Sequence, residues 1–136
     1  LAVYLVHREA LSTRLEQGEI GLWLATHEEL APLLGVCPNL NVFPLIAVFL
    51  ERFADGRIFS LGTLLRTRYG FHNTLRAFGD VTRDHLYFLK RAGFDHYMLR
   101  ADQNTQAALQ SLHEFSNAYQ GAADEPRPVW RRMERL

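Results

Sequence analysis

The stretch Leu45 to Ser60, L-I-A-V-F-L-E-R-F-A-D-G-R-I-F-S, decides how the rest of the chain is read. Its opening run, Leu45 to Leu50, is apolar without interruption, as in a strand covered on both faces. From Phe53 the composition turns polar. Asp55 and Arg57 flank Gly56, which accepts backbone angles that other residues resist. Ser60 then stands where a helix N-cap is expected, ahead of Leu61, Leu64, Leu65 and Tyr69 recurring on one side. Strand, polar turn and helix in that order make one unit of a parallel α/β fold.

Working outward, the unit repeats. Leu1 to Val6 reads as a short strand, and His7 to Gln17 as a helix with Leu11 and Leu15 in register and Gly18 as its stop. Ile20 to Ala25 reads as a buried strand. Thr26 opens T-H-E-E, a capping box with Glu29, for a short helix that faces Leu30, Leu33 and Leu34 inward and ends at Gly35. Cys37 to Pro44 is a loop. Downstream, Gly70 closes the helix and Thr74 to Phe78 forms a strand ended by Gly79-Asp80. Asp80 is expected to cap a helix with Val81, His85, Phe88, Leu89 and Ala92 on one face. Gly93-Phe94 is a left-handed helix stop with its apolar clasp. His96 to Leu99 is a further strand, and Asn104 to Tyr119 a last helix carrying Ala108, Leu112, Phe115 and Tyr119.

The expectation is one α/β domain over residues 1–120, with a mostly parallel sheet of four to five strands and flanking helices. The sheet is either flavodoxin-like or part of a barrel-like wall. Residues 121–136 form a tail anchored by Trp130, loosely held or packed on another subunit in a homo-oligomer.

Composition narrows the function classes. A chain of 136 residues, 48% hydrophobic, suits one domain with a real core. Its longest apolar run is too short to cross a bilayer, so no membrane role is expected. The first residue is Leu1 rather than Met, which places a start upstream within reach, and no secretory leader opens the chain. Fifteen basic residues balance fifteen acidic ones, which argues against a nucleic-acid partner. Every basic residue except Lys90 is arginine, whose fork suits carboxylates, phosphates and sulfur oxyanions, although a GC-rich genome gives the same bias. Cys37 is the one cysteine, so neither a disulfide within the chain nor a Cys-based metal cluster is expected, and a cytoplasmic protein fits best. The histidines His7, His27, His72, His85, His96 and His113 form no H-x-x-x-H pair, so no metal is expected. His85 reads as a hydrogen-bonded core residue. No dinucleotide fingerprint, Walker loop or nucleophile elbow is present, and no cofactor is expected.

Sites in parallel α/β folds gather beyond the carboxyl ends of the strands. That rule collects Thr26 after one strand, Glu51, Arg52, Asp55 and Arg57 after the next, Asp80, Arg83 and Asp84 after the third, and Arg100 and Asp102 after the fourth. The candidate ligand set is Asp55, Arg57, Ser60, Asp80 and Arg83. In it Arg57, helped by Arg83 or Arg100, holds a small anion, and Asp55 and Asp80 orient the arginines or move protons. The plainer reading is that Asp80 caps a helix, Asp55 shapes the turn and Arg57 pairs with Asp80.

F-A-D-G-R-I-F-S, L-L-R-T-R-Y-G, R-A-F-G-D-V-T-R-D, R-A-G-F-D, F-S-N-A-Y-Q and P-V-W-R-R, in that order, resemble a bacterial family catalogued as domain of unknown function 934. The resemblance carries over Phe53, Asp55, Gly56, Arg57, Ser60, Arg66, Arg76, Gly79, Asp80, Asp84, Gly93, Phe94 and Asp95. It implies an association with assimilatory sulfite reduction and cysteine biosynthesis. With the arginine-rich rim it points to an accessory protein, often labelled an oxidoreductase, that binds an anionic ligand at the carboxyl edge of the sheet; the alternative is a non-catalytic partner or assembly factor docking on sulfite reductase or another sulfur-assimilation protein. The sequence departs from the family's usual pattern at Ala54, at His85 where glutamine is common, and at Ala92 where cysteine is common, so a mechanism through that thiol is closed to this chain.

Overall fold

Four segments form strands in the computed structural model, which describes residues 1–115 and 117–132. They are β1 (Leu22–Ala25), β2 (Leu45–Leu50), β3 (Thr74–Gly79) and β4 (His96–Tyr97). The helices are α1 (Ala2–Glu16), α2 (Ala31–Val36), α3 (Arg57–Thr67), α4 (Arg83–Arg91), α5 (Thr105–Ser111) and the single turn α6 (Val129–Arg132). Strands and helices alternate from β1 to α5, as the sequence pattern requires.

All neighbouring strands are parallel, and their spatial order is β1-β2-β3-β4. This order never reverses, so the flavodoxin-like alternative, with its switch point and helices on both faces, does not apply. The sequential order is that of the other alternative, a barrel-like wall. Right-handed crossovers that all step the same way leave the crossover helices α2, α3 and α4 on the same side. Accordingly Leu24, Ile46, Val48, Leu50, Leu75 and Ala77 are fully buried together with Leu33 of α2, Ile58 and Leu65 of α3 and Leu89 of α4. The alternate residues Trp23, Ala47, Phe49, Arg76 and Phe78 face the other way and stay partly or largely exposed. The unbroken apolar run of β2 reads as covered on both sides, but among the described residues helices cover only one.

Several local expectations change. Leu1 to Val6 is not a strand. It continues into the helix as its first turns, and Leu1, Tyr4 and Leu15 pack on the core, with the Tyr4 ring edge-on to Phe43 at 5.1 Å. Ser60 is not an N-cap. The inward stripe of α3 begins earlier, at Ile58, so Gly56 takes the cap position and Ser60 lies exposed inside the helix. Thr26 opens no capping box, because the residues after it form a turn and α2 starts only at Ala31; Gly35 lies within α2. Asp80 does not cap α4. Thr82 does, and the His85 ring nitrogen Nδ1 accepts the Thr82 amide at 3.1 Å.

The Gly93 stop stands as read: Gly93 has φ +97°, and the Phe94 amide returns to the Leu89 carbonyl at 3.0 Å. The Phe94 ring then packs so closely on α3 that a Cβ on Gly62 would lie 2.4 Å from it. The last helix is shorter than its apolar register, ending at Ser111. Residue 116 and residues 133–136 of the expected helix and tail fall outside the described residues. The tail packs on its own domain. Arg91 of α4 pairs with Asp124 at 2.6 Å and also donates to the Gln120 carbonyl, and the Ala123 amide donates to the Arg91 carbonyl at 3.1 Å.

Candidate functional site

The carboxyl ends of β1, β2 and β3 meet around the 51–56 loop. Gly79 lets the rim close. It has φ +101°, and a Cβ there would stand 2.4 Å from the Leu50 carbonyl oxygen, so only glycine lets β3 bend away at this point. The Asp80 amide then donates to that same carbonyl at 2.8 Å.

Asp55 is the centre of the rim. Its side chain is only 11% exposed. One oxygen accepts the Arg57 amide at 3.1 Å and the Arg57 Nε at 2.8 Å. The other accepts Arg57 Nη2 at 2.8 Å and the hydroxyl of buried Thr26, at the end of β1. The turn at Gly56 thus folds Arg57 back on Asp55 as a two-pronged ion pair. The Arg57 guanidinium, and after it the Thr26 hydroxyl, hold the Asp55 carboxyl well below the usual carboxylate range.

Asp80 serves a second centre. Its Oδ2 accepts the Phe53 amide at 2.8 Å and its Oδ1 accepts Arg100 Nη1 at 2.7 Å. Arg100 also forks onto Asp102 at 2.7 and 2.9 Å. Bonds to Asp102 and Asp80 raise the Arg100 pKa, and Arg100 lowers that of Asp102 to about 2. His85 closes the loop from below. With Nδ1 accepting the Thr82 amide, the proton sits on Nε2, which donates to the Phe53 carbonyl at 3.0 Å. The Phe53 and His85 ring centroids are 4.5 Å apart.

The structure therefore brings Asp55, Arg57 and Asp80 to one rim but into separate partnerships. The expected Arg57–Asp80 pair is not formed. Arg83 turns away to Glu114 at 2.8 Å, where it lines a small cleft with Tyr87 and Phe115, and Ser60 lies one turn along α3. The wider cavities lie elsewhere. One of about 630 Å³ is bordered by Tyr4, Arg8, Ser12 and Asn41, and one of about 430 Å³ by Tyr87, Phe88, Arg91 and Tyr119. Neither is lined by Asp55, Arg57, Asp80 or Arg100. A carboxylate with both oxygens bound and its pKa depressed is a poor proton carrier, which weighs against Asp55 as an acid or base.

Sequence reasoning missed two features. The first is a run of rings on the helix side. Phe88, read as inward, is 60% exposed, and it links Phe59 (ring centroids 6.4 Å apart) to Tyr87 (5.4 Å), which meets Phe115 at 4.9 Å. Its signal was the density of Phe and Tyr after Asp84. The second is the role of Arg66, named above only as a motif position. It donates to the carbonyls of Gly93 (2.8 Å), Phe71 (2.7 Å) and Asn73 (2.8 Å), and to Asp95 at 2.8 Å. Asp95 in turn accepts the Leu75 amide at 2.9 Å, at the amino end of β3. Among the described residues no group of three or more His, Cys, Asp or Glu is placed to hold a metal ion, and no helix is long and apolar enough to cross a membrane.

The order of motifs along the chain can now be compared with known families. A family model described as a bacterial protein of unknown function, DUF934, matches residues 21–130. The chain belongs to the DUF934 family. No curated protein and no solved structure matches it. In this DUF934 chain the motif residues divide between two edges of the sheet. Phe53, Asp55, Gly56, Arg57, Gly79 and Asp80 build the carboxyl rim, whereas Arg66, Gly93, Phe94 and Asp95 lock the amino edge. The departure at His85 is accommodated: it fills the position where glutamine or glutamate closes a capping box, and its ring supplies the same acceptor. Ala92 is buried beside Gly62, away from the rim.

Proposed function

We propose that this DUF934 protein is a non-catalytic accessory protein that docks on a partner of assimilatory sulfite reduction, sulfite reductase being the partner that the family resemblance suggests. The observation that carries the docking role is the aromatic belt. Phe53, Phe88, Phe115, Tyr119 and Trp130 are all more than half exposed, and rings of Phe59, His85, Tyr87 and Phe88 run between the first three. The Tyr119 and Trp130 rings meet at a tilt, centroids 5.2 Å apart, where the tail returns to α4. Exposed aromatic clusters of this kind supply the buried anchors of protein interfaces. Pairing of Arg57, Arg83 and Arg100 with the chain's own carboxylates speaks for the same reading, since an anion would have to displace a charged partner.

Immobilised wild-type protein is expected to retain sulfite reductase. Phe88→Ser and Trp130→Ser are expected to release it, and Arg57→Ala is not. Retention by both aromatic variants, or none by wild type, overturns the proposal.

A second reading keeps the rim as a small-anion site. It is favoured by one observation: the Arg57 side chain is 61% exposed, and its Nη1 makes no hydrogen bond with a described residue. Calorimetric titration with sulfite, sulfate and an adenosine phosphosulfate separates the two. Binding that disappears in Arg57→Ala supports the anion site, and silence from all three ligands removes it.

A further inference from the structure

The uncovered face of the sheet has no role in the docking reading, which concerns the helix side. It carries the exposed Trp23 against Phe49 and Phe78, with centroids 6.0 and 6.2 Å from the Trp23 ring and 5.2 Å between the two phenylalanines. Ala47 and Leu45 extend this surface on β2, and exposed Met98 lies just beyond β4. Parallel sheets are almost always covered on both faces, so this surface is built for cover.

Its charges say what that cover is. Strand register places Ala47 beside Arg76 and Phe49 beside Phe78. Glu51 follows Leu50 and is exposed, and by the alternation of the strand it returns to the open face. Arg76 and Glu51 each make no side-chain hydrogen bond or ion pair among the described residues. Arg57, whose field Glu51 shares, is already held by Asp55. The level of Arg76 and the level of Glu51 lie two residues to either side of the level of Phe49 and Phe78.

We propose that the open face binds a second copy of this chain, about a two-fold axis through the level of Phe49 and Phe78 with the strands of the two copies antiparallel. A two-fold interface is self-complementary: whatever one copy offers, it also receives. This axis stacks the phenylalanine level on itself and brings Arg76 of each copy level with Glu51 of the other, one strand to the side. Packed sheets lie roughly 10 Å apart, within reach of an arginine and a glutamate extended towards each other. A non-identical partner would have to match the aromatic patch and both charges separately, and the second copy does so by symmetry alone. The aromatic belt on the helix side stays clear of this interface.

Sedimentation equilibrium of the full chain tests the proposal, with circular dichroism as the folding control. Wild type is expected to dimerise. Arg76→Glu and Glu51→Arg are each expected to weaken the dimer about tenfold or more, because each places two like-charge pairs across the interface. The double variant, with the charges exchanged, is expected to return the wild-type dimer. In Trp130→Phe, which leaves Trp23 as the reporter, dilution below the dimer constant should shift emission to the red. A wild-type monomer at every concentration overturns the proposal. So does a dimer that tolerates both single substitutions, or one lost in both and not regained in the double variant.

Discussion

The two sides of β3 carry opposite duties. Leu75 and Ala77 are fully buried beneath α3 and α4, while Thr74, Arg76 and Phe78, interleaved with them, look out from the sheet. Burial of the first set stabilises the fold, at about 1.5–3 kcal/mol for a large aliphatic side chain. The second set contributes little to the isolated chain and is left available for association. The difference shows that an apolar residue in a strand is not by itself a core residue: which helices the topology can deliver to its face decides that.

Paired substitutions in this strand should break or confirm the contrast. Leu75→Ala is expected to cost about 3 kcal/mol in urea unfolding, through lost burial and the cavity left behind. Phe78→Ala, measured in the Arg76→Glu background at a concentration below its weakened dimer constant, should cost less than about 1 kcal/mol. Equal costs would mean that both faces are core.

The amino and carboxyl edges sharpen the comparison further. Arg66, with its side chain 16% exposed, serves three backbone carbonyls and Asp95 at once. Arg66→Ala is expected to cost about 2–3 kcal/mol by leaving buried carbonyls unpaired, with Lys restoring less than half, because a point charge cannot replace the planar fork. At the opposite rim, Asp55→Asn should cost less, about 1 kcal/mol, since much of its partner Arg57 lies in water. Its pH dependence follows in sign. The folded carboxyl is held below its unfolded value, so its contribution is complete above about pH 4 and fades as pH falls through the depressed value. Urea midpoints of wild type and Asp55→Asn should therefore differ at pH 6 and draw together as the pH falls below about 4. The smallest stability effect is expected for Phe88→Ser, within about 0.5 kcal/mol, although it is the change expected to abolish docking.

The sequence carries the fold wherever the signal is local. The six-residue apolar run of β2, the alternation of β3, the stripe of α3 and the Gly93-Phe94 stop each declare themselves within one turn or one strand. Readings fail where two local signals compete. Asp80 and Thr82 are both cap-forming residues, and the cap goes to Thr82 because His85 stands three residues on with a free acceptor. Asn104 does begin a helix, accepting the Ala107 amide at 3.0 Å, but the register that continues to Tyr119 is not followed. At its end the Ser111 hydroxyl bonds back to the Ala108 carbonyl at 2.6 Å, the kind of side-chain competition that weakens a helix. The rim was readable as a place, because strand ends in a parallel sheet share one edge. Its pairings were not. Asp55 and Asp80 are equivalent acceptors for Arg57 on paper, and only the folded turn at Gly56 makes the nearer one win.

The strand order has one more consequence. Each strand's partner is the strand made just before it, so every closure spans a single crossover and no strand waits for a distant one. Assembly on the ribosome can proceed in one direction, each new βα unit laying itself on a finished template. Residues 120–124 emerge after all four strands and fasten onto α4 through Arg91, a latch on a wall already standing.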